Sequence, residues 1–148
     1  MENILTYANK CANTYGLPVK MLKFPGTSKS VEEFQLDLGL VEMIDLLSYK
    51  KYLLMLHHCK FLISDSGTGQ EEPALMQTPV IVPRDYTERP QSMKANASFM
   101  LDVNNLSNEK ESIVWMEEIF CGKREIDASW LGDGDTADKI IHHLEIIL

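Results

Sequence analysis

The chain has 148 residues, 45% of them hydrophobic and 24% charged, which supports one globular domain with a substantial core. Its formal net charge of −8 argues against a general binder of nucleic acid or of anionic membrane surfaces. No apolar run reaches membrane-spanning length and no secretory signal pattern opens the chain, so the expected location is the cytoplasm, with no membrane partner. The three cysteines, Cys11, Cys59 and Cys121, lie far apart without CxxC spacing, which predicts reduced, mostly buried thiols.

Taken in chain order, Ile4, Leu5, Ala8, Cys11 and Ala12 recur at helical spacing over residues 2–14, and Gly16 suits the end of that helix. Pro18 opens an extended run through Val19, Met21 and Leu22. Ser28 or Ser30 is expected to cap a short helix through Val31, Phe34 and Leu36. Val41 to Ile44 reads as a strand, and Ser48 to His58 as a helix with Tyr49, Tyr52, Leu53 and Leu56 on one face. Phe61 to Ile63 forms a strand, a helix starts at Gln70-Glu71-Glu72, and Pro79 to Val82 forms the next strand. A short helix over Glu88 to Asn96 and a strand over Ser98 to Leu101 follow. Ser107 starts an amphipathic helix through Ile113, Val114, Met116 and Phe120, ended near Gly122. After a Gly132-Asp133-Gly134 turn, Asp135 or Thr136 opens a last helix through Ile140, Ile141, Leu144 and Ile147. Strands alternating with helices predict an α/β fold: a Rossmann-like parallel sheet with helices on both faces, residues 1–148 forming one domain.

The stretch from Ile63 to Pro90, ISDSGTGQEEPALMQTPVIVPRDYTERP, concentrates the chemistry. Small residues after a strand let the backbone turn sharply and approach a ligand, in the region where open parallel sheets bind ligands. A helix start at that point offers unpaired amides to a phosphate or diphosphate. Pro73 suits the first turn of such a helix, and Glu71 and Glu72 suit its electropositive end. Either glutamate is also able to accept hydrogen bonds from sugar hydroxyls. The plainer alternative is that Asp65 or Ser66 is a helix cap and both glutamates are dipole partners. Arg84, Arg89 and Lys94 cluster in the same segment and supply local positive charge within an acidic chain. The His57-His58 and His142-His143 pairs point about 100° apart on their helices and make poor joint metal ligands. Asp133 and Asp135 lack the remaining ligands of a calcium loop, and no GxGxxG or GxxxxGK[ST] motif is present, so no metal and no cofactor is expected.

The two blocks SDSGTGQEE and RDYTERP, with the gap between them, resemble the substrate-binding signature of the non-hydrolysing UDP-N-acetylglucosamine 2-epimerases. The resemblance extends to Tyr49-Lys50-Lys51-Tyr52, to Trp130-Leu131-Gly132-Asp133-Gly134 and to Phe24-Pro25-Gly26-Thr27-Ser28-Lys29, and so covers nearly the whole chain. It implies the C-terminal half of a two-domain fold of the GT-B type. It also implies a site for UDP or UDP-N-acetylglucosamine. In that site Ser66, Gly67 and Thr68 hold the diphosphate, with Thr68 standing where the family has glycine. Glu72 binds ribose hydroxyls, Arg89 is a substrate-site arginine and Tyr52 lies by the uracil. Arg84 and Glu88 organise the loop, through a salt bridge or backbone contacts.

Three departures bear on catalysis. Phe24 stands where the family's HPR motif has its catalytic-site histidine, and Gly26 where it has arginine. The family's N-terminal half, which contributes proton-transfer carboxylates, has no counterpart in these residues. The family reaction eliminates UDP and adds it back with C2 inverted, which requires acid and base on opposite sides of the sugar in a closed cleft. The resemblance therefore implies a binding domain that does not epimerise alone, with no catalytic residue assigned. The chain is also expected to start inside the family domain, past its first strand, which suggests a homo-oligomer or a separate chain carrying the N-terminal half. Such a split epimerase is one alternative. A protein-interaction or regulatory module that keeps only the scaffold is another, and a glycosyltransferase half-domain a weaker one.

Overall fold

The computed structural model describes residues 1–147. Helix α1 (Glu2–Tyr15) leads into strand β1 (Val19–Leu22), α2 (Pro25–Glu33), β2 (Val41–Ile44), α3 (Tyr49–His58) and β3 (Leu62–Ile63). After a 3₁₀ turn over Thr68–Gln70 come α4 (Glu72–Leu75), β4 (Val80–Val82), α5 (Pro90–Lys94), β5 (Ser98–Met100), α6 (Glu109–Phe120) and α7 (Thr136–Ile147). Every strand pairing is parallel, and helices form the connections, as parallel strands require. The α/β alternation predicted from the sequence is therefore present.

Several details differ from the sequence-based expectation. The strands form two sheets, β1-β2 and β3-β4-β5, because no ladder joins β1 to β3. Helix α2 begins at Pro25, whose fixed φ suits a first turn, so Ser28 and Ser30 lie inside the helix and cap nothing. Helix α6 begins two residues after Ser107: the Ser107 hydroxyl donates to Asp102 instead, at 2.7 Å. Cys11 is buried, Cys59 half-buried and Cys121 exposed, so the thiols are not uniformly interior. Gly16 does end α1 in the left-handed conformation, with φ 61°.

The core sits between the β3-β4-β5 sheet and the helices α1 and α6. Tyr7, Cys11, Ile81, Leu101, Trp115 and Met116 form one buried cluster. Burial forces the polar groups in it to find partners, and the Tyr7 hydroxyl lies 2.7 Å from Ser112 Oγ, linking α1 to α6. That burial pushes the Tyr7 phenol well above the usual tyrosine range. Val80, Ile81 and Val82 are fully buried, as expected for a parallel strand covered on both faces. A second cluster of Leu5, Ala8 and Val41 gathers Val19, Met21 and Ile63, so α1 packs against strands of both sheets. On α7 the apolar residues Ile140, Ile141, Leu144 and Ile147 are exposed.

Met116 is fully buried in the main cluster. Met116→Ala is expected to lower stability by about 2–5 kcal/mol, read as a shifted urea midpoint with an unchanged slope.

Candidate functional site

Strand β3 ends at Ile63, and the chain turns through Ser64 to Gly69 at its carboxyl end. Local hydrogen bonds set this turn. The Ser66 amide donates to Ser64 Oγ at 3.2 Å, and the Gly69 amide donates to Ser66 Oγ at 3.4 Å. Ser66 Oγ also lies 3.1 Å from Thr68 Oγ1. Gly69 packs closely: a Cβ there would stand 2.5 Å from Ser64 Oγ and 3.1 Å from Ser64 Cβ, so a larger residue needs the Ser64 side chain to turn away. The amides of Gly67 and Thr68 have no hydrogen-bond partner among the described residues. They are the donors that the turn leaves available to an anion.

The helix predicted to follow is broken. A 3₁₀ turn over Thr68–Gln70 is succeeded by the single turn of α4. Pro73 falls in the first turn of α4, as expected, but so short a helix adds little macrodipole. Positive charge must come from side chains. Arg89 supplies it: its Nε donates to Glu71 Oε1, and its Nη1 donates to the Glu88 carbonyl at 3.3 Å. Its Nη2 lies 3.7 Å from where a Cβ on Gly67 would stand, so the guanidinium lies beside the turn. The Glu71 carboxylate holds the Arg89 proton more firmly than usual and fixes the direction of the side chain.

The TERP loop is docked onto the turn by Gln70, which is 2% exposed. Its Oε1 accepts a hydrogen bond from Thr87 Oγ1 at 2.7 Å, and its Nε2 donates to the Ser66 carbonyl at 3.5 Å. Thr87 Oγ1 in turn accepts from the Arg89 amide at 3.0 Å. One buried carboxamide thus joins the two sequence blocks. Arg84 pairs with Asp65, Nη2 to Oδ2 at 3.5 Å, rather than with Glu88 as one sequence-based alternative had it. Glu88 contributes only its carbonyl, to Arg89. Lys94 ends α5, exposed, and makes no ion pair among the described residues.

Glu72 points toward α3. The Tyr49 hydroxyl donates to Glu72 Oε1 at 2.8 Å, and that carboxylate raises the Tyr49 pKa. Tyr52 is half-buried one turn further along; burial first, then Glu72, raises its pKa. The structure thus gathers Ser66, Gly67, Thr68, Glu72 and Arg89 around the turn, with Tyr52 beyond Glu72 and Arg84 behind Asp65. Sequence reading missed the supports: Gln70 and Thr87 as the bridge, Glu71 as the partner of Arg89, and Tyr49 as the partner of Glu72. In the sequence the uncharged Gln70 beside two glutamates is the one available hint of the bridge; its burial is visible only in the structure.

The fold is that of the C-terminal, Rossmann-like half of a GT-B type protein, with the candidate site beyond the strand ends. The family model described as UDP-N-acetylglucosamine 2-epimerase matches residues 1–145, and the chain belongs to that family. A UDP-N-acetylglucosamine 2-epimerase of Methanocaldococcus jannaschii is 26% identical over 149 aligned positions, covering 97% of this chain and 39% of that protein. One from Salmonella borreze is 29% identical over 106, covering 70% of this chain and 28% of that protein. The M. jannaschii epimerase in complex with UDP-GlcNAc and UDP superposes with a TM-score of 0.78 at 24% identity, over 97% of this chain and 40% of that one. The Neisseria meningitidis epimerase bound to UDP-GlcNAc gives 0.66 at 22% identity, over 97% and 40%. The chain therefore spans well under half the length of these relatives.

Two outcomes test the geometry. Gly69→Ala is expected to cost about 1–3 kcal/mol by overpacking against Ser64, and Ser64→Ala in the same chain to recover part of it, as read by denaturant melts. Glu72→Gln is expected to lower the Tyr49 pKa, because the carboxylate that stabilises the protonated phenol is gone; a carbon-13 NMR titration of the tyrosine ring reads it.

Proposed function

We propose that this domain binds UDP or UDP-N-acetylglucosamine at the Ser66 turn and does not epimerise the sugar by itself. The observation that carries the reading is Arg89: Glu71 and the Glu88 carbonyl hold its guanidinium beside Gly67, next to two amides with no partner among the described residues. In this reading the Ser66 hydroxyl and the Gly67 and Thr68 amides donate to the diphosphate, and Arg89 Nη2 neutralises it. Glu72, with Tyr49 fixing one of its oxygens, accepts from ribose hydroxyls. Tyr52 lies by the uracil, and Arg84 acts indirectly by ordering the turn through Asp65. The solved relatives whose complexes contain UDP-GlcNAc or UDP support this choice of ligand.

The absence of catalysis rests on Phe24. It occupies the first position of the HPR-like segment, exposed at the end of β1, and has no titratable group to exchange a proton with the sugar. Interconversion of UDP-N-acetylglucosamine and UDP-N-acetylmannosamine would need an acid and a base from outside these residues.

Calorimetric titration of the purified protein with UDP and with UDP-N-acetylglucosamine tests the proposal. One-to-one binding is expected, weakened at least tenfold in a Glu72→Ala, Arg89→Ala variant whose circular dichroism is unchanged. Equal affinity in both proteins, or none in the native one, would overturn the site. Formation of UDP-N-acetylmannosamine by the purified protein alone would overturn the non-catalytic part.

A further inference from the structure

Glu71 and Glu72 stand side by side at the start of α4, and their partners separate them. The Glu71 carboxylate is occupied by Arg89 Nε. Glu72 makes no ion pair among the described residues, and its one side-chain hydrogen bond there comes from the Tyr49 hydroxyl, at 2.8 Å on Oε1. Oε2 is left free and Oε1 keeps a second lone pair, so both oxygens of the carboxylate remain able to accept. The carboxylate in turn keeps Tyr49 in its protonated, donating form by raising the phenol pKa.

Tyr49 is well placed to direct that carboxylate. It is the first residue of α3, and the other end of the helix is fastened to the sheet by Leu56, which is 1% exposed and whose carbonyl accepts the Thr78 hydroxyl at 3.1 Å. A tyrosine has two rotatable bonds before its rigid ring, whereas a glutamate has three and loses more freedom when it is ordered. Helix α4 is only four residues long, so its backbone does little to orient Glu72. Tyr52 lies three residues on from Tyr49, on the same side of α3, and also feels the Glu72 charge. Two phenols of one helix therefore flank one carboxylate of another.

We propose that Tyr49 is a positioning residue: by holding Oε1 of Glu72 it makes the carboxylate a reader of a vicinal diol, and the site selects ribonucleoside over 2′-deoxyribonucleoside diphosphates. The inference rests on nucleotide binding at the Ser66 turn and names which nucleotides that site accepts. A carboxylate fixed in place takes one hydroxyl of a ribose on each of its oxygens. Loss of the 2′ hydroxyl leaves one oxygen dehydrated and without a donor, which a site built around that hydrogen bond penalises. A carboxylate free to turn follows whichever hydroxyl remains, or keeps its water, and discriminates little. Tyr49 is 62% exposed, so removal of its hydroxyl leaves the packing of α3 intact.

Calorimetric titration with UDP and with 2′-deoxy-UDP, on the native protein and on the Tyr49→Phe and Glu72→Gln variants, tests the proposal. The native protein is expected to bind UDP about tenfold more tightly than 2′-deoxy-UDP, as one hydrogen bond to a charged group gives. In Tyr49→Phe that ratio is expected to fall below about threefold, most of the loss being on the UDP side, with the circular dichroism spectrum unchanged. Glu72→Gln is expected to lower the ratio as well, because a neutral carboxamide accepts on one atom only. A merely structural role for Tyr49 would weaken both nucleotides alike and keep the ratio at its native value; that result would overturn the proposal while binding at the Ser66 turn stands. Equal affinity of the native protein for the two nucleotides would overturn it in the same way. Binding of neither nucleotide by the native protein would overturn the proposal together with the reading of the turn on which it rests.

Discussion

The candidate site depends on one buried carboxamide. Gln70 is shielded from water, and a buried polar group must be hydrogen-bonded or cost about 1–3 kcal/mol. Its oxygen takes the Thr87 hydroxyl and its nitrogen reaches the Ser66 carbonyl. Two loops that follow different strands are thereby held at one spacing. Thr87 passes the constraint to the Arg89 amide, and Glu71 completes it by aiming the guanidinium. The position of the positive charge beside Gly67 is a consequence of that chain of contacts rather than of Arg89 alone.

Packing beneath the site explains why the loops stay in place. The three buried residues of β4 anchor the sheet, with Ile81 reaching the cluster of Tyr7, Trp115 and Met116. Thr78, just before β4, donates its hydroxyl to the Leu56 carbonyl at 3.1 Å and so attaches α3 to the sheet. Because α3 carries both Tyr49 and Tyr52, that bond helps to set how close the two phenols come to Glu72. On the far side, Asn108 donates to the Met100 carbonyl and accepts from the Asp102 amide, both at 2.9 Å, which closes the end of β5 onto the start of α6.

Charge follows the same economy. An acidic chain keeps its arginines near the site paired, Arg84 with Asp65 and Arg89 with Glu71. Half-exposed pairs of this kind add little stability, so their main effect is orientation. Arg89 retains a nitrogen directed at the turn while its other nitrogens are occupied, an arrangement suited to a diphosphate and poorly suited to a proton acceptor or donor.

The sequence by itself determined the order of elements, the parallel arrangement, the family and the turn that carries the candidate site. Those features are written locally: the 3.6-residue period of α1, the apolar run of β4, and the small residues Ser66 to Gly69 that follow β3. The tertiary structure decided the partners. That Arg84 meets Asp65 and not Glu88, that Gln70 reaches Thr87, and that Tyr49 reaches Glu72 depend on how separate loops and helices are brought together, and no local period encodes it. The same holds for the division into two sheets. Strand-forming residues specify that β1 and β3 exist, but pairing is a property of neighbouring backbones, and among the described residues no ladder joins these two strands.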